Sequence, residues 1–375
     1  MISRFIQKSI EAKMDDNKAI IIFGARQTGK TTLLNILFSN NENVLWLNGD
    51  DPDTLALFEN SNSTRLKTIF STHKIVVIDE AQRIVDIGLK MKLITDQIKD
   101  VKMVVTGSSS FELANKVNEP LTGRKWEYQM YPISFAEMSD YHGFLEENRL
   151  LPHRLVYGYY PEVVNAVGNE KEVLKQLADS YLYKDVLVWQ NIKKSDKLIK
   201  LMQALAFQLG NEVSYVELGN VVGLDNQTVE KYVQLLEQSF IIFRLSAFSR
   251  NHRKELKKAK KIYFYDNGIR NALIANFNLF ELRNDKGALW ENFLISERMK
   301  YRSYNNLWAN TYFWRTQDQQ EIDYIEERDG KLFAYEFKWN AKRKSRISKT
   351  FTRTYPDYEF QVVNPENYES FIMGA

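Results

Sequence analysis

No cysteine stands among the 375 residues, which excludes disulfides, thiolate-held metals and a cysteine nucleophile. No apolar run approaches the roughly 20 residues that span a bilayer. The opening Met1-Ile2-Ser3-Arg4-Phe5 lacks the long apolar core of a secretory signal. A surplus of charge is also missing: 51 Lys and Arg against 48 Asp and Glu leave +3, too little by itself to argue for a polyanionic partner. What remains, at 44% hydrophobic and 26% charged, is the composition of a soluble globular protein, expected to be cytoplasmic and to have no membrane partner. The length exceeds what one core comfortably serves, so two or three domains are expected.

The strongest local pattern lies near the start. The apolar run Ala19-Ile20-Ile21-Ile22-Phe23 leads into Gly24-Ala25-Arg26-Gln27-Thr28-Gly29-Lys30-Thr31-Thr32, and Leu33, Leu34, Ile36 and Leu37 follow at helical spacing. Strand, glycine loop and helix form the context that the pattern G-x-x-x-x-G-K-[ST] requires. Gly24 and Gly29 let the backbone curl so that N–H groups from Ala25, Arg26, Gln27, Thr28 and their neighbours turn toward a phosphate. The helix N-terminus adds its positive dipole end. Lys30 can reach the β- and γ-phosphates of ATP, and Thr31 can hold Mg²⁺.

A second strand, His73-Lys74-Ile75-Val76-Val77-Ile78, ends in Asp79-Glu80. A carboxylate at the C-terminal end of a central strand sits where open α/β sheets bind ligands. Asp79 is expected to share Mg²⁺ with Thr31, and Glu80 to orient and deprotonate an attacking water. Val44 to Leu47 and Val101 to Val105 read as further strands, and Leu89 to Ile98 as a helix. Thr106 ends one of these strands and is the residue expected to sense the γ-phosphate, with Ser108 second; a helix-capping hydroxyl is the alternative. Arg124, before the strand Trp126 to Tyr131, is expected to act as an arginine finger in its own subunit or a neighbour's, unless it forms a surface ion pair.

The middle of the chain is helical from about 136 to 190, interrupted by Gly158-Tyr159-Tyr160-Pro161-Glu162. Beyond 196, Leu198, Leu201, Met202 and Leu205 share a helix face. Ser214 and Glu217 form a capping-box pattern, and Asp225 or Asn226 caps a helix carrying Val229, Val233, Leu236 and Phe240. Strands at Ile241 to Leu245 and Lys261 to Phe264 flank a basic tip, Arg250 to Lys260. Three helices and a basic hairpin suggest a winged helix-turn-helix, used on nucleic acid or for protein packing.

Near the C-terminus, Gln320 to Ile325 and Leu332 to Trp339 alternate about Arg328-Asp329-Gly330-Lys331, a strong hairpin signal. With Asp329 and Gly330 as the loop, residue 328 pairs with 331 and Asp323 falls opposite Glu336. Glu336 and Lys338 then share a face with Ala334, while Phe333, Tyr335, Phe337 and Trp339 supply core on the other. Opposed carboxylates repel unless a cation lies between them, and oxygen ligands suit a second Mg²⁺ or Mn²⁺. Lys338 could stabilise a developing phosphoryl charge; a salt bridge from Lys338 to Glu321 is the plainer alternative. Glu291, whose helical neighbours are Ala288, Leu294 and Ile295, is expected to turn toward the pair. A basic run, Lys338, Lys342, Arg343, Lys344, Arg346, Lys349 and Arg353, suits a polyanion or a solvated surface.

Taken in order, these motifs resemble the bacterial and archaeal AAA-type ATPases with a C-terminal domain of unknown function, itself similar to PD-(D/E)XK nucleases. The resemblance rests on residues 24–32, Val77 to Gln82, Thr106 to Ser109, Leu121 to Arg124, Tyr131 to Phe135, Gly158 to Glu162, Trp290 to Phe293, Trp314 to Thr316, Glu321 to Asp323 and Glu336 to Lys338. It implies that Asp323, Glu336 and Lys338 occupy nuclease core positions, with Glu291 as a helical acid; Ile322 stands where that pattern has proline. The expected architecture is α/β: a parallel-sheet P-loop ATPase domain (1–135), a helical lid or connector (136–192), a winged helix (193–265) and a restriction-endonuclease-like α/β domain (266–375). The implied function is Mg²⁺-dependent ATP hydrolysis coupled to nucleic-acid binding, with DNA cleavage as an extension. A conformational switch that binds DNA or a protein partner without cleaving is the alternative. Analogy with AAA-type ATPases also suggests a homo-oligomer.

Overall fold

The computed structural model describes residues 2–59, 61–108, 121–188, 195–248, 260–316, 318–343 and 345–374. They divide into two compact units. One comprises residues 1–133 with 238–240, the other residues 134–237 with 241–375.

The first unit is built on a five-stranded sheet, in the order β2-β3-β4-β1-β5. Its strands are β1 (Ala19–Phe23), β2 (Val44–Asn48), β3 (Ile75–Asp79), β4 (Lys102–Gly107) and β5 (Lys125–Gln129), and all of its pairings are parallel. The three central strands are almost wholly buried, and the outer two are half-buried. This is the continuous apolar reading expected of strands covered on both faces. The helix Lys30–Phe38 follows β1 and buries Leu33, Leu34 and Phe38. Because β4 lies between β1 and β3, three strand ends converge at one edge: the glycine loop after Phe23, Asp79 at the end of β3, and Thr106 near the end of β4.

The second unit opens with helices. Phe135–His142 is capped by a reciprocal pair, Ser134 with Glu137, and is followed by Phe144–Tyr157, Pro161–Asn165 and Glu170–Val188. Three more helices follow: Ser195–Phe207, Tyr215–Val222, which Ser214 caps, and Asn226–Gln238. Asp225, not Asn226, caps the last of these, through the Thr228 amide at 2.9 Å.

The strands β6 (Glu212–Val213), β7 (Ile242–Ala247), β8 (Lys260–Phe264), β9 (Asn310–Arg315), β10 (Glu321–Arg328), β11 (Lys331–Phe337) and β12 (Tyr358–Val363) then form a single sheet in the order β12-β11-β10-β9-β7-β8-β6. The two parts expected on either side of residue 265 share this sheet, since β7 pairs with β9 through Ser246–Tyr312 and Ala247–Phe313. The helix Lys286–Tyr304 follows β8 in the chain. The basic tip expected at 250–260 falls, except for Lys260, outside the described residues.

The β10–β11 hairpin has the expected register, from Arg328–Lys331 to Tyr324–Tyr335, about a loop in which Asp329 (φ 51°) and Gly330 (φ 78°) are both left-handed. Its faces differ from expectation. Leu332 and Ala334 belong to an apolar cluster with Ile322, Ile325 and Phe351, so the face assigned to Glu336 and Lys338 is also core. The sheet is covered on both sides, and alternation alone cannot say which face is wet.

Candidate functional site

The glycine loop folds as its sequence requires. Gly29 is left-handed (φ 95°), as is Gln27 (φ 58°). At Gly24 a Cβ would lie 2.2 Å from the Met130 carbonyl oxygen, so only glycine lets the loop pass the end of β5. The Thr28 hydroxyl donates to the Ala25 carbonyl at 2.8 Å, and the Lys30 ammonium donates to the carbonyls of Gly24 and Ala25 at 2.9 and 2.8 Å. The lysine is thus held over the loop by backbone dipoles.

Asp79 is held by neutral donors. Its Oδ2 accepts the Thr31 hydroxyl at 2.6 Å; its Oδ1 accepts the Thr106 hydroxyl and, at 3.1 Å, the Glu80 amide. Thr31, Asp79 and Thr106, 75 positions apart in sequence (31 to 106), therefore meet around one carboxylate. Mg²⁺ is bound by one or two carboxylates together with substrate phosphates and water, and Thr31 with Asp79 fits that requirement. Glu80 sits at φ 49°, ψ 39°, unusual for a side chain with a Cβ. Gln82 donates to the Glu80 carboxylate and, at 3.0 Å, to the Ser108 hydroxyl, tying the expected base to the end of β4.

One residue here carried no local signal. Arg4 is buried and donates to the Thr28 carbonyl at 2.8 Å and the Tyr131 carbonyl at 2.7 Å, bracing the loop against the end of β5. Gln82 was legible only as part of the Asp79-Glu80 stretch.

Arg124 lies elsewhere. Its carbonyl accepts the Ala19 amide at 2.9 Å, which puts it at the start of β1, about 15 Å of strand away from the loop. Its guanidinium pairs with Asp96 at 2.6 Å, both side chains about two-fifths exposed. A finger acting within its own subunit is therefore ruled out in this arrangement, because the opposite end of the sheet carries the residue.

The C-terminal residues meet in a second cluster. The β10–β9 register shifts between Ile322 and Ile325. Those two side chains reach the same apolar cluster, a three-residue spacing that regular alternation forbids and a bulge allows. Beside the bulge the Asp323 carboxylate accepts the Phe337 amide at 2.7 Å. Burial, and then the charges of Glu291 and Glu336, push the Asp323 carboxyl well above the ordinary range, against the pull of Lys261 and that amide. Lys338 pairs with Glu336 at 2.7 Å, not with Glu321 as the simpler sequence reading had it.

Glu321 instead pairs with Lys261 of β8, a residue sequence reasoning took only as part of a strand. Lys261 is 2% exposed, lies 3.3 Å from Glu291, and stands over the Phe313 ring at 5.4 Å. Burial alone would lower its affinity for its proton; the carboxylates of Glu291, Glu321 and Asp323 outweigh that and keep it charged. Glu291 also accepts the Tyr263 hydroxyl at 2.5 Å. The charge of Glu291 acts on Asp323, but its hydrogen-bond partners are Lys261 and Tyr263. Among the described residues no group of three His, Cys, Asp or Glu is placed to hold a metal ion. The second divalent cation expected between Asp323, Glu336 and Glu291 is not shown by this arrangement, in which the Lys261 ammonium pairs with Glu291 and Glu321.

Comparison with known proteins bears on the two units unequally. Residues 16–139 match the model of an AAA domain; residues 148–279 and 286–370 match two domains of unknown function (DUF8612 and DUF4143). The chain is 23% identical over 385 residues to an uncharacterized protein of Methanocaldococcus jannaschii, covering 96% of this chain and 84% of the relative. It is 25% identical over 402 residues to one of Haemophilus influenzae, covering 98% and 94%. A solved structure of a Walker-type ATPase of Pyrococcus abyssi aligns with a TM-score of 0.51 at 15% identity, over 73% of this chain and 96% of that one. The parallel sheet of the first unit has the α/β fold of a P-loop ATPase. No helix among the described residues is long and apolar enough to cross a membrane.

Proposed function

We propose that the chain hydrolyses ATP with Mg²⁺ and uses the cycle as a conformational switch coupled to nucleic-acid binding by its C-terminal half. The observation that carries the first part is the convergence of Thr31 and Thr106 on Asp79, beside a loop that already holds Lys30. Thr31 and Asp79 would hold Mg²⁺, which neutralises charge on the terminal phosphates. Lys30 leaves the Gly24 and Ala25 carbonyls for the phosphates, and the loop amides and helix N-terminus bind the remaining oxygens. Glu80 orients the attacking water and takes its proton. Thr106, bonded to Asp79, is the residue to register loss of the γ-phosphate. Arg124 is left as a finger acting across a subunit interface of a homo-oligomer.

DNA is the proposed partner of the second unit. Asn226, Gln227, Lys231 and Gln234 are exposed along one side of the helix Asn226–Gln238, where they suit base edges and phosphates. Lys342, Arg343, Arg346, Lys349 and Arg353 are exposed after β11 and suit the backbone. A nuclease reading rests on the proximity of Asp323, Glu336 and Lys338. It takes second place because the Lys261 ammonium already pairs with Glu291 and Glu321 beside them.

Phosphate release by the full chain with Mg²⁺, with and without DNA, tests the reading. Turnover lost in Lys30→Ala, with nucleotide-dependent DNA binding lost alongside it and kept in Asp323→Ala, is the expected result. Mg²⁺-dependent DNA cleavage lost in Asp323→Ala would replace the switch with the nuclease.

A further inference from the structure

We infer that the acidic cluster of Glu291, Glu321 and Asp323 is closed by the Lys261 ammonium, which stands in the place of a divalent cation and clamps β8 to β10 and the helix Lys286–Tyr304. This does not depend on the ATPase reading of the other unit. Lys261 is among the largest fully buried side chains of the protein. A buried ammonium is tolerated only where opposite charge and hydrogen bonds meet it. Both are supplied by elements distant in sequence: Glu291 from the helix, Glu321 from β10, and the face of Phe313 from β9.

The remaining acids have donors of their own. Asp323 accepts the Phe337 amide, Glu336 pairs with Lys338, and Tyr263, two residues from Lys261 on the same strand face, donates to Glu291. Gly210 approaches Glu291 from the other side: a Cβ there would lie 3.4 Å from a carboxylate oxygen. A divalent ion held by Glu291 and Glu321 would need carboxylate oxygens that the ammonium already contacts. A single positive charge without exchangeable ligands cannot bind and polarise a water as a metal does. The cluster therefore joins parts of the sheet instead of hydrolysing a phosphodiester.

The test is Mn²⁺ binding to the full chain without nucleotide, followed by the electron paramagnetic signal of free Mn²⁺. Four chains are compared: the natural sequence, Asp323→Asn, Lys261→Met, and Lys261→Met with Asp323→Asn. We expect Asp323→Asn to leave Mn²⁺ binding by the natural sequence unchanged. Lys261→Met should bind Mn²⁺ at least about tenfold more tightly, and the added Asp323→Asn should abolish that gain. Thermal melting in EDTA and in Mn²⁺ reads the same contrast: no shift for the natural chain, and a metal-dependent rise for Lys261→Met. Mn²⁺ binding by the natural sequence that is lost in Asp323→Asn would overturn the inference even if Lys261→Met fails to fold. A folded Lys261→Met that gains no Mn²⁺ binding would overturn it as well.

Discussion

Asp79 and Asp323 both stand on sheet strands near a lysine, and the two surroundings prepare them for different ends. Asp79 is held by hydroxyls and an amide, from Thr31, Thr106 and Glu80. These are neutral groups that leave its charge to be met by something that arrives. The neighbouring lysine is held by carbonyl oxygens of the loop. Asp323 stands among Glu291 and Glu336, and the ammonium that answers the cluster is built in and buried. Acids near a lysine are therefore not a signature of one chemistry. What decides is whether the positive charge is already spent on the acids.

The comparison can be broken most severely at the loop. Lys30→Ala should lower ATP turnover by about two to three orders of magnitude or more, the scale of removing one positioned donor to a developing charge, measured as steady-state phosphate release. Glu80→Gln should lower kcat by about 10²- to 10⁴-fold while nucleotide affinity, read by equilibrium dialysis, is kept. Turnover in Glu80→Gln equal to that of the natural sequence would mean the base lies elsewhere.

At the other cluster, Lys261→Ala removes one partner of a buried ionic network and should cost about 3–5 kcal/mol in urea unfolding. Replacing Glu291 and Glu321 with glutamine in the same chain should recover part of that loss. A cost below about 1 kcal/mol would show that the acids do not need the ammonium.

The pH dependence sharpens the contrast within the second unit. Burial alone would raise the Asp285 carboxyl, but the guanidiniums of Arg283 and Arg270 outweigh it and hold it at about 2. A depressed carboxylate contributes stability above its unfolded value of 3.8, lost as pH falls toward about 2. The loss is at most about 2.5 kcal/mol, and Asp285→Asn should remove it from unfolding midpoints measured between those pH values. Asp323 has the opposite sign, since its carboxyl is raised. Its contribution is present at acid pH and falls away as pH climbs from the ordinary carboxylate range. Smallest of all, Arg124→Ala breaks a half-exposed ion pair with Asp96 and should shift stability by about 0.2–1 kcal/mol. A large fall in turnover with that small shift would be the mark of a finger reaching another subunit.

Much of the first unit was legible because its signals are local. A strand, a glycine loop and a helix lie in consecutive residues, and a strand that ends in Asp79-Glu80 announces its own site. The hairpin register followed from two loop residues, Asp329 and Gly330. What escaped depended on distance. Arg4 meets Thr28 and Tyr131, 24 and 127 positions away. Arg124 precedes the right strand but at its wrong end, which only the parallel pairing of β5 with β1 reveals. Lys261 reads only as the first residue of a strand, because nothing within ten residues of it shows the helix and β10 that bury it. The bulge at Asp323 was invisible to alternation, since alternation assumes that no extra residue is present.

The most direct measurement is the electron paramagnetic resonance of Mn²⁺ in the full chain titrated with ATP. The account predicts a bound Mn²⁺ signal that requires ATP, is weakened by Asp79→Asn and is unchanged by Asp323→Asn. A signal that needs no nucleotide and disappears in Asp323→Asn would contradict it, because the acids of the second cluster would then be awaiting a metal after all.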